Sequence, residues 1–212
     1  MSASKLTVEL LSDTTFGRGE GTAGEVDVEV EHDALGVPFV GGKTLHGLLR
    51  DAWLSMMHAF PRMDSAASRV LGRPRELRES SILRVGDAVV DGITRDWIRA
   101  AVTRNPKEQR LRPYDVLRAF TEVRRQTALG RETGAPARGT LRAVRVVVRG
   151  VTLEAPLTWL TTPDDDALRC LALCALGVRH AGLSRTRGRG HVRVLLDGDR
   201  DLTVKLAREV TG

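Results

Sequence analysis

The segment GLSRTRGRGHVRV (182–194) sets four arginines among three glycines and runs into a short apolar strand. Glycine permits positive φ and close approach of a ligand, and arginine supplies a forked, permanently charged donor. The pairing points to a phosphate-bearing ligand, although arginine–glycine runs also occur in disordered tails, so context must decide. A second phosphate chemistry is written at Gly41-Gly42-Lys43-Thr44, where free backbone N–H groups, a positive helix end and an ammonium group coincide. It is not a Walker loop, because Val37 stands where the first glycine is required. A plain glycine turn with Thr44 as cap explains the same four residues.

The third candidate is acidic. Asp27, Glu29, Glu31 and Asp33 alternate through DVEVEHD, which describes either a solvated strand edge or a carboxylate able to hold Mg²⁺ near a phosphodiester. His32 and His46 lack metal-ligand spacing, which argues against zinc. Cys170 and Cys174 lie four apart in a helical pattern, as packing residues rather than a disulfide.

These candidates sit in a chain of 212 residues with a formal net charge of +6. The charge is unevenly distributed. Residues 1–40 carry two bases against eight acids, whereas 104–149 carry twelve bases, eleven of them arginine, against four acids. Such separation suits a region that grips a polyanion, and equally a solvated basic face. Aromatic residues are only 4% of the chain, so base stacking on rings is not the main device. No apolar run approaches the ~20 residues of a membrane helix, and MSASKLTVEL lacks a leader core, so a reduced cytoplasmic protein is expected.

The elements that must position the candidates follow from periodicity. KLTVELLS (5–12) alternates as a strand, DTTFGRGEGTAGE reads as a long loop, and VDVEV and VPFV read as short extended pieces. Leu45, Leu48, Leu49, Ala52, Trp53, Met56, Met57 and Phe60 trace one helical face over 44–60, with His46 and Arg50 opposite. A small helix over 64–71, a strand within 81–90 and a helix near 94–103 come next. Residues 104–139 read as a basic protruding hairpin or arm. Strands over 140–150 and 151–160 are joined by a tight turn, a helix spans 167–179, and HVRVLL closes the sheet. The order predicts one α+β domain over 1–212 with a ferredoxin-like (RRM-like) βαββαβ core, a long loop after the first strand and an inserted basic hairpin. The loop, being polar and glycine-rich, is expected on the surface.

At this level the chain resembles the RAMP superfamily of CRISPR systems. VPFVGGKTLHGLLRDAW is similar to its helix start, LRVGDAVV to its central strand, FTEVRRQTALG to its thumb, and GLSRTRGRGHVRV to its C-terminal glycine-rich loop. The nearest likeness is to the repeated backbone subunit of type III effector complexes, with SDTTFGRGEG resembling the III-D branch. The resemblance implies a guide (crRNA) threaded between Gly41, Gly42, Lys43, Thr44, His46 and Arg50 on one side and Gly182, Ser184, Arg185, Arg187, Gly188, Arg189 and Gly190 on the other. Arg124, Arg125 and Arg131 belong to the implied thumb. Asp27 takes the place of the family's catalytic aspartate, which cuts target RNA with Mg²⁺ or another divalent cation. Implied partners are crRNA, target RNA, copies of the chain and other effector subunits, with no membrane. A non-catalytic scaffold or cap subunit, and a metal-independent guide-processing nuclease using His46, are the alternatives.

Overall fold

Strand β1 (Lys5–Leu10) lies in the middle of a four-stranded antiparallel sheet, and Leu6, Val8 and Leu10 point from it into the core. The computed structural model describes residues 2–73, 81–103, 111–128, 134 and 139–210. Helix α1 (Gly42–Met56) follows the long loop and buries Leu45, Leu49, Ala52 and Trp53 along one stripe. It starts two residues earlier than the apolar period suggests. Gly41 is the N-cap without a side-chain bond, and Thr44 lies exposed in the first turn rather than capping. Helix α2 (Asp64–Leu71), β2 (Leu83–Val85) and α3 (Gly92–Thr103) complete the first half.

The second half begins with α4 (Pro113–Phe120), β3 (Thr121–Gln126) and β4 (Arg142–Val147), followed by β5 (Thr152–Trp159), α5 (Asp165–Gly177), β6 (Val192–Leu196) and α6 (Arg200–Arg208). The main sheet runs β2-β5-β1-β6. With its two crossover helices α1 and α5, this is the ferredoxin-like arrangement expected from the element order. Helices α1, α2 and α6 all pack against α5, on one face of the sheet. Helix α5 is anchored by Asp164, which accepts the Ala167 N–H at 2.8 Å and pairs with Arg69 at 2.7 Å. Those two contacts, the N–H first, hold its carboxyl below the ordinary aspartate value. Cys170 and Cys174 are free and buried on the inner face of α5, and the hydrogen bond between them raises the Cys174 thiol far above its ordinary value. No helix among the described residues is long and apolar enough to cross a membrane.

Three expectations are corrected. The two strands expected over 140–160 and the short turn between them are present, but the strands belong to different sheets. β4 pairs with β3 in a separate two-stranded sheet, Thr121 opposite Val147, while β5 pairs with β1 and β2. Val144 through Val147 are all covered, and β4 lies between β3 on one edge and the loop after β1 on the other, which bridges it at Thr14 and Val28. Within 104–139, the basic arm contains α4, whose Val116 and Leu117 are buried, and β3, whose residues 122–125 are exposed. Arg131 and the tip of the arm lie outside the described residues. Finally, the loop after β1 is not a surface loop. Thr14, Thr15, Phe16, Val26, Glu29 and Val30 are buried, and Val28 bridges Val144 in parallel. The loop is an added edge on β4, and α6 adds a C-terminal helix that periodicity did not show.

Candidate nucleic-acid interface

The burial of the loop rests on charge. Glu29 and Arg145 are 2% and 3% exposed, and the Arg145 Nε donates to Glu29 Oε1 at 2.8 Å. Both Glu29 oxygens and a second Arg145 nitrogen find partners locally. Thr22 Oγ1 donates to Glu29 Oε2 at 3.0 Å, the Val30 N–H donates to Oε1 at 2.9 Å, and Arg145 Nη2 reaches Glu25 at 2.8 Å. A buried ion pair is tolerable only when further hydrogen bonds of this kind replace the lost water. Two residues away, Asp27 is exposed. Its N–H donates to the Ala143 carbonyl at 2.8 Å, and its Oδ2 accepts the Ala143 N–H at 2.7 Å. Asp13 binds Arg124 at 2.8 Å, and Asp33 binds Arg95 at 3.0 Å. Much of the acid-rich N-terminal segment therefore neutralises arginines of the chain itself, two of them from the basic segment.

The glycine–arginine loop is different. It is tied down at its base, where Ala181 N–H donates to Gly190 O at 2.8 Å, Gly190 N–H to Asp13 O at 3.0 Å and Leu183 N–H to Thr15 O at 2.9 Å. Gly182 and Gly190 have positive φ, and side chains there would collide with the Thr15 and Ala181 carbonyls. Their glycine identity thus serves packing within the protein, whereas the space around Gly188, also at positive φ, is open. Ser184 adopts the left-handed region at φ 60°, which throws Arg185–Arg187 outward as a single helical turn. Among the described residues, Lys43, Arg125, Arg142, Arg185 and Arg187 are exposed and make no ion pair. Arg50 Nη2 and Arg189 Nη1 are buried without a hydrogen-bond partner, so each retains donor capacity.

A cleft of about 370 Å³ separates the loop from α1. Thr44, Gly47, Leu48 and Asp51 line it from α1, Thr15, Phe16, Gly17 and Glu31 from the N-terminal loop, and Gly182, Leu183 and Arg185 from the glycine–arginine loop. The sequence-predicted residues of the two motifs thus converge, as Thr44, Gly182 and Arg185 share one cleft. The other predicted residues that the structure describes stand outside this lining. His46 is half-buried and hydrogen-bonds the backbone of Val70 on α2; burial, then the Arg50 charge, lowers its pKa below the ordinary histidine value. Asp27 and Arg50 are likewise not part of the cleft lining. The helix end is also not the free anion cradle expected from its sequence, since the Gly42 N–H donates to Asp87 Oδ1 at 2.8 Å. Arg145 and Asp87, which build the site's frame, were not distinguishable in sequence from other charged residues near strands. Asp51 lies on α1 three residues after Leu48, a spacing that places both on the cleft side.

Fold and site together define a ferredoxin-like domain with a cationic, glycine-anchored loop facing the start of its first helix. The chain belongs to the RAMP superfamily, whose family model matches residues 7–193. No curated protein sequence matches it. Among solved structures it is similar to a chain of the type III-B Cmr-beta complex bound to cognate target RNA, with a TM-score of 0.65 at 13% identity, covering 92% of this chain and 96% of that one. It is equally similar to a chain of the same complex in its apo state, with a TM-score of 0.66 at 13% identity over 93% and 98% of the two chains. At that identity the likeness is one of fold.

Proposed function

We propose that this protein is an RNA-binding subunit of a type III CRISPR ribonucleoprotein, holding guide RNA along the glycine–arginine loop. The observation that carries this reading is the loop itself. In a RAMP-superfamily fold, Arg185 and Arg187 stand exposed and unpaired beside a cleft, on a backbone that internal hydrogen bonds hold in place. Fixed cations of this kind neutralise phosphates without regard to sequence, as a guide-binding surface requires. The fold likeness to chains of a target-RNA-bound type III-B complex supports it. Copies of the chain and other effector subunits are the partners that follow.

Within this reading, Asp27 is the residue for target cleavage. One of its carboxylate oxygens is committed to the Ala143 N–H, which fixes the side chain, while Oδ1 has no hydrogen-bond partner among the described residues. No group of three His, Cys, Asp or Glu side chains that could hold a metal exists among the described residues. A single oriented carboxylate nevertheless fits a hydrated Mg²⁺ whose other ligands are RNA phosphate oxygens, the ion's role being to neutralise charge on the scissile phosphate. The same geometry favours a second reading, a guide-binding scaffold in which Asp27 only staples the loop to β4. Co-purifying RNA should be repeat-derived guide, and unrelated RNA would overturn the CRISPR assignment. In the assembled complex, Asp27→Ala should abolish metal-dependent cutting of complementary RNA while target affinity stays within a few-fold. Unimpaired cutting would leave the scaffold reading standing.

A further inference from the structure

The cleft beside Arg185 carries a chemistry that phosphate binding does not explain. Its lining contains two carboxylates, Glu31 and Asp51, and among the described residues neither makes a hydrogen bond or ion pair with the protein. Glu31 Oε2 lies beside Gly41, 3.9 Å from the position a Cβ would take there, and Asp87 already occupies the Gly42 N–H. The positive end of α1 therefore already faces carboxylates, and a phosphate entering the cleft would meet two negative charges. The rest of the lining is mainly apolar, with Phe16, Val40, Leu48 and Leu183, interrupted by Thr15, Thr44 and Arg185. A cleft of about 370 Å³ with apolar walls and two empty acceptors is suited to a flat, neutral group that presents N–H donors.

We propose that this cleft is a base-reading subsite that takes one unpaired nucleobase of the bound RNA, guanine foremost. The inference rests on the RNA-binding function proposed above. Guanine offers N1–H and N2–H₂ side by side, matching the two oxygens of a carboxylate, whereas uracil offers a single imino N–H. The apolar walls accept the faces of the ring, and Arg185 holds the flanking phosphate outside. Sequence-independent threading along Arg185 and Arg187 would thus be interrupted at one position by a base-specific contact, which fixes the register of the RNA on the protein.

The test uses the full chain and ten-nucleotide oligouridines carrying one central guanosine, inosine, adenosine or uridine, with affinity read by fluorescence anisotropy. Guanosine should bind about tenfold more tightly than uridine, in the range expected for one bidentate base contact. Inosine, which lacks the 2-amino group, should fall between them. Glu31→Gln or Asp51→Asn should bring the guanosine-to-uridine ratio towards one, with the ratio itself controlling for folding. Equal affinity for all four RNAs, or a guanosine preference untouched by both substitutions, would overturn the base-reading subsite while leaving RNA binding intact. No binding of any oligomer at low salt would overturn RNA binding as well.

Discussion

Two regions of this chain look alike as text, being rich in glycine and charge, yet their charges meet opposite fates in the fold. The loop after β1 turns its acids inward against arginines, so Glu29, Glu25, Asp13 and Asp33 spend their charge on Arg145, Arg124 and Arg95. The glycine–arginine loop has no acids of its own, and its Arg185 and Arg187 stay exposed and unpaired. The lesson concerns charge asymmetry along a sequence: it measures what is available to a partner only after internal pairs are subtracted. Here the subtraction removes Arg124 and Arg145 from the basic segment and leaves a smaller set of cations for RNA.

The contrast breaks most visibly at Arg145. Arg145→Ala leaves the Glu29 carboxylate buried and unpaired, a change that costs about 3–5 kcal/mol, read as a lower urea midpoint. Replacing Glu29 and Arg145 together by leucine and methionine should recover most of that loss, since an apolar pair removes both charges at once. A loss in the double variant as large as in the single one would show that the pair is not what seals the loop.

On the open side, Arg185→Ala with Arg187→Ala should leave the urea midpoint unchanged and weaken RNA binding about tenfold at moderate salt. The salt slope for single-stranded RNA should fall by about 1.4, or ~0.7 for each lost phosphate contact. A changed midpoint with an unchanged slope would place these arginines with the closed region.

His46 tests which region the exposed-looking face of α1 belongs to. Its pKa is lowered in the fold by burial and by Arg50, so as the pH falls through the ordinary histidine range the unfolded chain takes up the proton first. Stability contributed by the neutral ring is therefore present above that range and is lost below it. A thermal scan series from pH 7.5 to 5.5 should show a fall in Tm that His46→Gln reduces; equal falls in both proteins would mean that His46 titrates as a solvated side chain. The smallest effect is expected at Arg124, whose pair with Asp13 is partly solvated. Arg124→Ala should cost no more than about 1 kcal/mol in urea unfolding.

Much of the core was legible because apolar periodicity is local. The faces of β1, α2 and α5, and the β6 alternation, were each readable from spacing alone, and they account for most of the ferredoxin-like sheet and its helices. Helix α4 was hidden by its proline and arginines, although Val116 and Leu117 bury as a pair. Strand β3 was legible only as part of a basic hairpin or arm: four of its six residues are exposed, so its bounds and its partner come from pairing with β4 rather than from an apolar face. The site was legible by residue type at Thr44, Gly182 and Arg185, and not at Glu31 or Asp51, because an acceptor in a cleft is spelled like an acceptor in water.

By itself the sequence determined the order of the core strands and their two crossover helices, the phosphate-seeking character of the glycine–arginine loop and the resemblance to the superfamily, because each is set by residues close together in the chain. Only the tertiary structure decided which charges are spent. Glu29 and Arg145 are 116 residues apart, as are Asp27 and Ala143, and no local pattern reports a partner at that distance. Whether a carboxylate is buried in a pair, stapled to a strand or left open in a cleft depends on how the loop after β1 docks on β4. That docking is fixed by desolvation: Glu29 enters the interior only where Arg145, Thr22 and the Val30 N–H can replace the water it loses.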